Sequence, residues 1–85
     1  MESSYPYYLV KTLKIADVSL ARQDEALRDM VIQLNEANEG HGRITIRWSG
    51  IPTENMVLAE ADTQELCQSL LKEFLQWMRE RGYIR

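Results

Sequence analysis

Few residues in this sequence could carry covalent or metal chemistry, and His41 and Cys67 are the first to consider. Each is the single residue of its type, so a metal site with several histidines and a Cys-His-His arrangement are both excluded. Cys67 falls within the apolar stripe of a predicted helix, whereas His41 lies between two glycines in a predicted turn. Because a reactive thiol needs an electropositive and accessible setting, we expect Cys67 to be a buried small side chain and His41 a loop residue, neither of them catalytic.

The glycine and carboxylate patterns do not indicate catalysis either. Gly40-His41-Gly42 is too short for a phosphate-binding loop and lacks the Lys-Ser/Thr pair that holds phosphate and magnesium. Asp62 and Glu65 are better explained by the capping of a helix than by acid-base chemistry. We therefore predict a protein without enzymatic activity, catalytic residues, cofactor or bound metal.

Arginines on one predicted strand are the first candidates for binding. Arg43 and Arg47 flank Thr45 at alternating positions and should project from one face of the strand. Lys11 or Lys14 would lie on a neighbouring strand. A solvated sheet face is the simpler interpretation, and an acidic patch on a protein is the alternative partner. Direct nucleic-acid binding is not expected, because 10 Lys and Arg against 13 Asp and Glu give a formal net charge of -3, whereas such binders are normally basic.

The second predicted helix supplies the other binding candidates. Asp62 followed by Glu65 forms a variant of the capping box and Gly82 is a stop signal, so this helix should span residues 63–81. Either it packs against both the sheet and the first helix, or one edge of it is an interface with Trp77 as a candidate anchor. The reason is an apolar stripe wider than a small sheet face requires: Leu66, Cys67, Leu70, Leu71, Phe74, Leu75, Trp77 and Met78.

The first part of the chain is predicted to form one strand and one helix. Residues 7–15 are rich in aromatic and β-branched side chains, which favours a strand. An amphipathic helix should begin near residue 20, with Asp17 or Ser19 as its N-cap, and should end at residues 38–40. Apolar residues at helical spacing define its buried side: Leu20, Leu27, Met30, Val31 and Leu34.

Two further strands complete a predicted α+β fold. Residues 43–48 alternate strictly between polar and apolar side chains, which predicts a second strand, and residues 56–60 can return as a third. The order β-α-β-β-α predicts a two-layer domain, with a mixed three-stranded sheet and two helices on one face. That domain should span residues 7–85, after a flexible lead-in at residues 1–6. The residues expected to be buried are Leu13, Ile15, Leu27, Val31, Leu34, Ile44, Ile46, Leu58, Leu66, Leu70 and Phe74.

Length and composition limit the class of protein. A chain of 85 residues is enough for one globular domain with a small core, so self-association is a common way for it to gain stability. No stretch approaches the roughly 18 consecutive apolar residues of a membrane span, and the N-terminus lacks the basic and apolar regions of a signal peptide. A single cysteine fits a reducing compartment. We expect a cytoplasmic protein that does not bind membranes.

Residues 38–41 (Asn-Glu-Gly-His) and 44–48 (Ile-Thr-Ile-Arg-Trp), in the order β-α-β-β-α, resemble the DinI-like family. That family comprises small bacterial and phage proteins that modulate the RecA filament in the SOS response. In it, the final helix presents a ridge of acidic residues that imitates the backbone of single-stranded DNA. The resemblance implies that Glu65, Glu73 and Glu80 would play this part here. The same helix also carries basic residues that the dense family ridge lacks: Lys72, Arg79 and Arg81.

These observations give three hypotheses for function. The first is a regulatory protein of the DinI-like kind, which binds a protein partner such as a RecA filament through Glu65, Glu73, Trp77 and Glu80. The second is a homodimeric interaction or assembly module of phage or plasmid origin, with the wide stripe of the second helix as its seam. The third and least expected is a β-ribbon nucleic-acid binder that uses Arg43 and Arg47.

Overall fold

A three-stranded sheet organises the residues that the computed structural model describes, which are 5–49, 51 and 54–84. The strands β1 (Tyr7–Leu13), β2 (Gly42–Arg47) and β3 (Asn55–Ala61) lie in the order β1-β3-β2, and both pairings are antiparallel. With helices covering one face, the predicted α+β class is confirmed. The predicted mixed sheet is wrong, because β3 returns through a hairpin loop and inserts between the two strands that run in the same direction.

The first predicted helix is in fact two helices, α1 (Val18–Gln23) and α2 (Glu25–Ala37). Asp24 separates them with an extended backbone, at φ -74° and ψ 112°. Its N–H donates to the carbonyl oxygen of Ala21 at 3.2 Å and ends α1. Its carboxylate accepts from the N–H of Ala26 at 2.8 Å and caps α2. An aspartate favours a helix N-terminus over a helix interior, so the break between α1 and α2 has a local cause.

The start of α1 distinguishes between the two predicted caps. The carboxylate of Asp17 accepts a hydrogen bond from the N–H of Leu20 at 3.0 Å, so Asp17, and not Ser19, is the N-cap. An N-cap side chain of this kind satisfies one of the backbone donors that a helix leaves free at its start.

The third helix, α3 (Gln64–Glu80), is capped by Thr63. The Thr63 hydroxyl accepts from the N–H of Leu66 at 3.2 Å. The prediction of Asp62 as the cap is therefore wrong. Oδ2 of Asp62 instead lies 3.0 Å from Nδ1 of His41, on the surface.

The predicted stop signal of α3 is confirmed. Gly82 adopts φ 79°, a backbone angle that costs glycine little and other residues more. The N–H of Tyr83 donates to the carbonyl of Met78 at 3.0 Å, and the N–H of Gly82 donates to that of Arg79 at 3.0 Å. These two bonds form a Schellman motif. The chain then turns back, so that the carbonyl of Tyr83 accepts from the N–H of Ala16 at 3.1 Å.

The core lies between the helices and one face of the sheet. In β3, Val57, Ala59 and Ala61 lie on this face and are fully buried. Leu58 was predicted to be buried, which is wrong, since Leu58 and Met56 have the opposite parity and are half-buried on the open face. Both parities of β3 are apolar, so the alternation did not mark the core side. Ala59 and Ala61 mark the core side of β3, because their small side chains let α3 approach the sheet.

The other residues predicted to be buried divide into those at the margin of the core and those at its centre. Val31, Ile46 and Leu66 are half-buried and pack against the core from outside. The centre contains the other predicted residues, which are buried: Leu13, Ile15, Leu27, Leu34, Ile44, Leu70 and Phe74.

The wide stripe of α3 is explained inside the molecule. The helix contacts all three strands and α2, so the first of the two predicted explanations is confirmed. In the described ranges, the large apolar side chains that are exposed all lie outside α3: Tyr7, Tyr8, Val10, Leu20, Ile32 and Ile51. The homodimer stays a prediction, without this stripe as its seam. No helix in the same ranges is long and apolar enough to cross a membrane.

Candidate functional site

The exposed surface of α3 carries acidic and basic side chains in two lines along the helix. Glu65, Glu73 and Glu80 are all exposed. At roughly 100° per residue, Glu73 and Glu80 fall on one line, whereas Glu65 falls on the line of Lys72 and Arg79, at intervals of seven residues. The structure therefore brings two of the three predicted acidic residues together and places the third with the basic residues.

Trp77, the predicted anchor on α3, is half-buried and packs against the core. Its ring centroid lies 6.5 Å from that of Tyr83. The guanidinium of Arg81 lies 5.1 Å from the Trp77 centroid, in cation–π range. Trp77 therefore contacts Tyr83 and Arg81 within the protein, near the end of α3.

The two predicted binding arginines lie on the same open face of the sheet but in different environments. Nε of Arg43 donates to Oε1 of Glu60 at 2.8 Å, and Glu60 is buried. This hydrogen bond raises the pKa of Arg43 above its usual value. Arg43 also lies over the ring of Tyr5, 6.0 Å from its centroid. Arg47 is exposed and has no ion-pair partner among the residues that the structure describes.

The predicted lysine neighbours of these arginines lie elsewhere. β3 separates β1 from β2, so neither Lys11 nor Lys14 is beside Arg43 or Arg47. The prediction took the order of strands along the chain as their order in the sheet.

The loop that follows Arg47 is anchored by a buried polar residue. Asn55 is fully buried at the start of β3, and its Oδ1 accepts from the N–H of Ser49 at 2.8 Å. The Ser49 hydroxyl accepts from the N–H of Ile51 at 3.1 Å, and the carbonyl of Ile51 accepts from the N–H of Glu54 at 3.0 Å. Sequence reasoning missed Asn55, although an amide at the start of an apolar strand is a signal for such a role.

A groove runs between β1 and the end of α3, with a volume of about 780 Å³. Three exposed cationic side chains line it, from Lys11, Lys14 and Arg79, and none of the acidic residues that the structure describes does. Its apolar lining comes from Leu13, Ile15, Leu75, Tyr83 and Ile84. The sequence did not indicate this groove, because its wall forms only when the chain after Gly82 folds back.

The groove and the anchored loop share one end of the sheet. In the strand register, Leu13 lies opposite Asn55, and Arg47 lies opposite Met56. We call this part of the molecule the basic end, defined by Lys11, Lys14, Arg47 and Arg79. Lys11 and Arg47 project from opposite faces of the sheet at this end, so the basic end has two cationic surfaces, and each attracts anions.

Cys67 and His41 lie where the sequence predicts them. The Cys67 thiol is buried and donates to the carbonyl oxygen of Ala59 at 3.1 Å. Burial raises the pKa of Cys67, so the reactive thiolate is disfavoured. The predicted buried position of Cys67 and loop position of His41 are confirmed. Over the described ranges, no group of three or more His, Cys, Asp and Glu side chains could hold a metal ion.

Comparison with known proteins gives one recurring similarity. No protein-family model matches the chain. The phosphoglucosamine mutase of Bacillus cereus (strain G9842) is 31% identical over 74 residues, which is 87% of this chain and 16% of that enzyme. The phosphoglucosamine mutase of Anoxybacillus flavithermus is 35% identical over 77 residues, or 91% of this chain and 17% of the enzyme. The chain thus spans about a sixth of the length of the curated relatives it matches.

Proposed function

We propose that this chain is a phosphosugar-binding domain related to one part of the phosphoglucosamine mutases. The support is a similarity that covers most of this chain but only 16% and 17% of two such enzymes. A segment of that size would contribute binding groups to a site and not a whole reaction. The expected lack of enzymatic activity therefore stays part of the proposal. So does a cytoplasmic location, where the Cys67 thiol would remain reduced.

The observation that carries the proposal is the exposed Arg47 beside the anchored loop at the basic end. A guanidinium is the side chain best suited to a phosphate, because its planar donors match two phosphate oxygens. The Ser49 hydroxyl, two residues on, can donate to a third oxygen while it accepts from Ile51. Since Asn55 already holds the N–H of Ser49, Ser49 would lose little conformational freedom when a ligand binds.

The test is an NMR titration of the isotope-labelled protein with phosphoglucosamine, glucosamine and inorganic phosphate in separate arms. We expect saturable shifts of the Ser49 and Ile51 amides with phosphoglucosamine, weaker shifts with phosphate and none with glucosamine. Arg47→Gln should reduce the affinity about tenfold or more. Arg28→Gln, at an exposed position in the helix layer, is the matched control. No saturable shift in the loop, or equal loss in both variants, would refute the proposal.

A second candidate function is supported by the exposed glutamates of α3. Glu65, Glu73 and Glu80 are all exposed, and Glu73 and Glu80 lie in one line along the helix, as a DinI-like regulator that binds a RecA filament would require. The test is interferometry against RecA assembled on single-stranded DNA. If this candidate is correct, the unaltered protein binds saturably. A Glu73→Lys, Glu80→Lys double variant should lose this binding while its fold stays intact. Absence of binding by the unaltered protein would exclude it and leave the phosphosugar proposal untouched, since Arg47 lies on another surface.

A further inference from the structure

The free edge of β1 lies along the groove. β1 is an outer strand of the sheet, and β3 is its one strand partner in the described part of the chain. Lys11, Thr12 and Leu13 of β1 line the groove, as do residues 14–16, which follow the strand. Side chains of a strand alternate between faces, so a lining by three consecutive strand residues indicates that the groove follows the edge of β1 there. Beyond the strand, the N–H of Ala16 is already bonded to the carbonyl of Tyr83. An outer edge of this kind presents backbone N–H and C=O groups to an incoming strand.

The charges beside this edge select the strand that could pair with it. Lys11, Lys14 and Arg79 are exposed in the groove, and no acidic residue within 5–49, 51 and 54–84 lines it. Lysines on an edge strand repel a neutral or basic strand, because pairing would desolvate them. A second copy of this edge would bring Lys11 of β1, and Lys14 just after it, against the same cations. An acidic strand would instead gain three opposite charges.

The apolar lining defines the rest of the partner. Leu13, Ile15 and Leu75 are buried but line the groove, and Ile84 is half-buried there. An extended segment has a side-chain period of two. Lys11 and Leu13 have the same parity in β1 and lie on the same side of the sheet. Acidic and apolar side chains two positions apart in the partner would therefore lie together on that side, opposite the cations and the apolar lining. The strand part of the lining, residues 11–13, corresponds to a paired segment of about three residues, or roughly 10 Å.

We propose that the groove between β1 and α3 binds an extended acidic segment of a partner protein, which pairs with the free edge of β1 as a fourth strand. Main-chain hydrogen bonds would supply affinity, as in other cases of β-strand addition, and the cations and apolar lining would supply specificity. This site is separate from the phosphosugar proposal, since Arg47 and Ser49 do not line the groove.

The test is fluorescence polarisation with a labelled peptide that carries Glu and Val in turn at every second position, with Thr between them, so that both face the groove. A peptide with Lys in place of Glu, and one with Pro at the central positions, are the matched probes. We expect saturable binding of the acidic peptide, and at least about tenfold weaker binding of both others, because one reverses the charge and the other removes strand hydrogen bonds.

Protein variants then locate the site. A Lys11→Gln, Arg79→Gln double variant should weaken the acidic peptide about tenfold or more. Lys72→Gln, on the same side of α3 but outside the lining, should leave its affinity unchanged. Amide hydrogen exchange should show new protection within residues 11–14 on binding. Circular dichroism of each variant checks that its fold is intact.

Three outcomes would overturn the proposal. Equal affinity for the proline peptide would mean that no strand forms. Full competition by inorganic phosphate, with the same dependence on Lys11 and Arg79, would mean a simple anion site. Dimerisation through residues 11–14, measured by sedimentation and reversed by the peptide, would make a second copy of the chain the natural occupant.

Discussion

The phenol of Tyr83 donates a hydrogen bond to the carboxylate of Asp24, which joins the end of α3 to the junction of α1 and α2. Nη2 of Arg81 donates to the same carboxylate oxygen at 2.9 Å. The pKa of Asp24 is lowered from 3.8 to about 2, chiefly by the hydrogen bond from Tyr83 and next by that from Arg81. Asp24 also caps α2, so one side chain fixes the helix break and the return of the C-terminal chain.

Asp24 should make the stability of the fold depend on acid pH. Because its pKa is lower in the folded state, the charged carboxylate stabilises the fold above pH 3.8, and this contribution is lost as pH falls towards about 2. Asp24→Asn keeps a capping side chain but removes the charge. We expect it to lower the free energy of unfolding at neutral pH and to flatten its acid dependence. Urea unfolding at a series of pH values measures both.

Asp29→Asn is the control for that experiment, because Asp29 is exposed on α2. It should leave both the stability and its acid dependence close to those of the unaltered protein. An acid dependence that Asp24→Asn does not change would contradict the assignment to Asp24.

Tyr83 should produce the opposite dependence at alkaline pH. Its hydrogen bond to Asp24, and then its burial, raise its pKa above the ordinary 10.0. The neutral phenol therefore stabilises the fold below pH 10.0, and this contribution is lost as pH rises through the higher folded-state pKa. We expect Tyr83→Phe to destabilise at neutral pH and to remove the most alkaline step of the tyrosine absorbance titration. Tyr8→Phe, at an exposed position, should do neither.

The structure shows why local patterns predicted the elements better than their arrangement. The strict alternation of residues 43–48 identified β2, and Gly82 identified the end of α3, since both depend on neighbours in the sequence. Leu58 was assigned to the wrong face because each parity of β3 is apolar, and only the packing of α3 on Ala59 and Ala61 decides between them.

The candidate sites could be predicted less well than the fold, because they depend on contacts distant in the sequence. Arg43 and Arg47 occupy equivalent positions in an alternating strand, yet a buried Glu60 engages one of them. The helix break at Asp24 has a local cause, but the sequence does not indicate the contacts that Arg81 and Tyr83 make with Asp24.

Gly42 should be required for the packing of β2. A Cβ at this position would lie 2.9 Å from the carbonyl oxygen of Glu60, 3.0 Å from Cδ1 of Leu70 and 3.2 Å from Cβ of Ala61. Two of these neighbours belong to the central strand and cannot move far. We expect Gly42→Ala to cost about 1 to 3 kcal/mol of unfolding free energy, as overpacked cores do, measured by urea unfolding.

The paired variant Leu70→Ala separates crowding from other effects of that substitution. If crowding against α3 contributes, the double variant should be less unstable than the sum of the two single variants. Gly42→Ala with unchanged stability would mean that β2 lies farther from β3 and α3 than the structure has it.

Arg43 and Arg47 should differ in their effects on stability, although the sequence presents them as a matched pair. Arg43→Gln removes a charged hydrogen bond to a buried carboxylate, so we expect a loss of about 1 to 3 kcal/mol. Arg47→Gln changes an exposed side chain and should stay within about 0.5 kcal/mol of the unaltered protein. A Glu60→Gln background should reduce the effect of Arg43→Gln, because no buried charge then needs the guanidinium. Equal effects of both arginines would show that the open face is a uniform solvated strip, as its alternating sequence suggests.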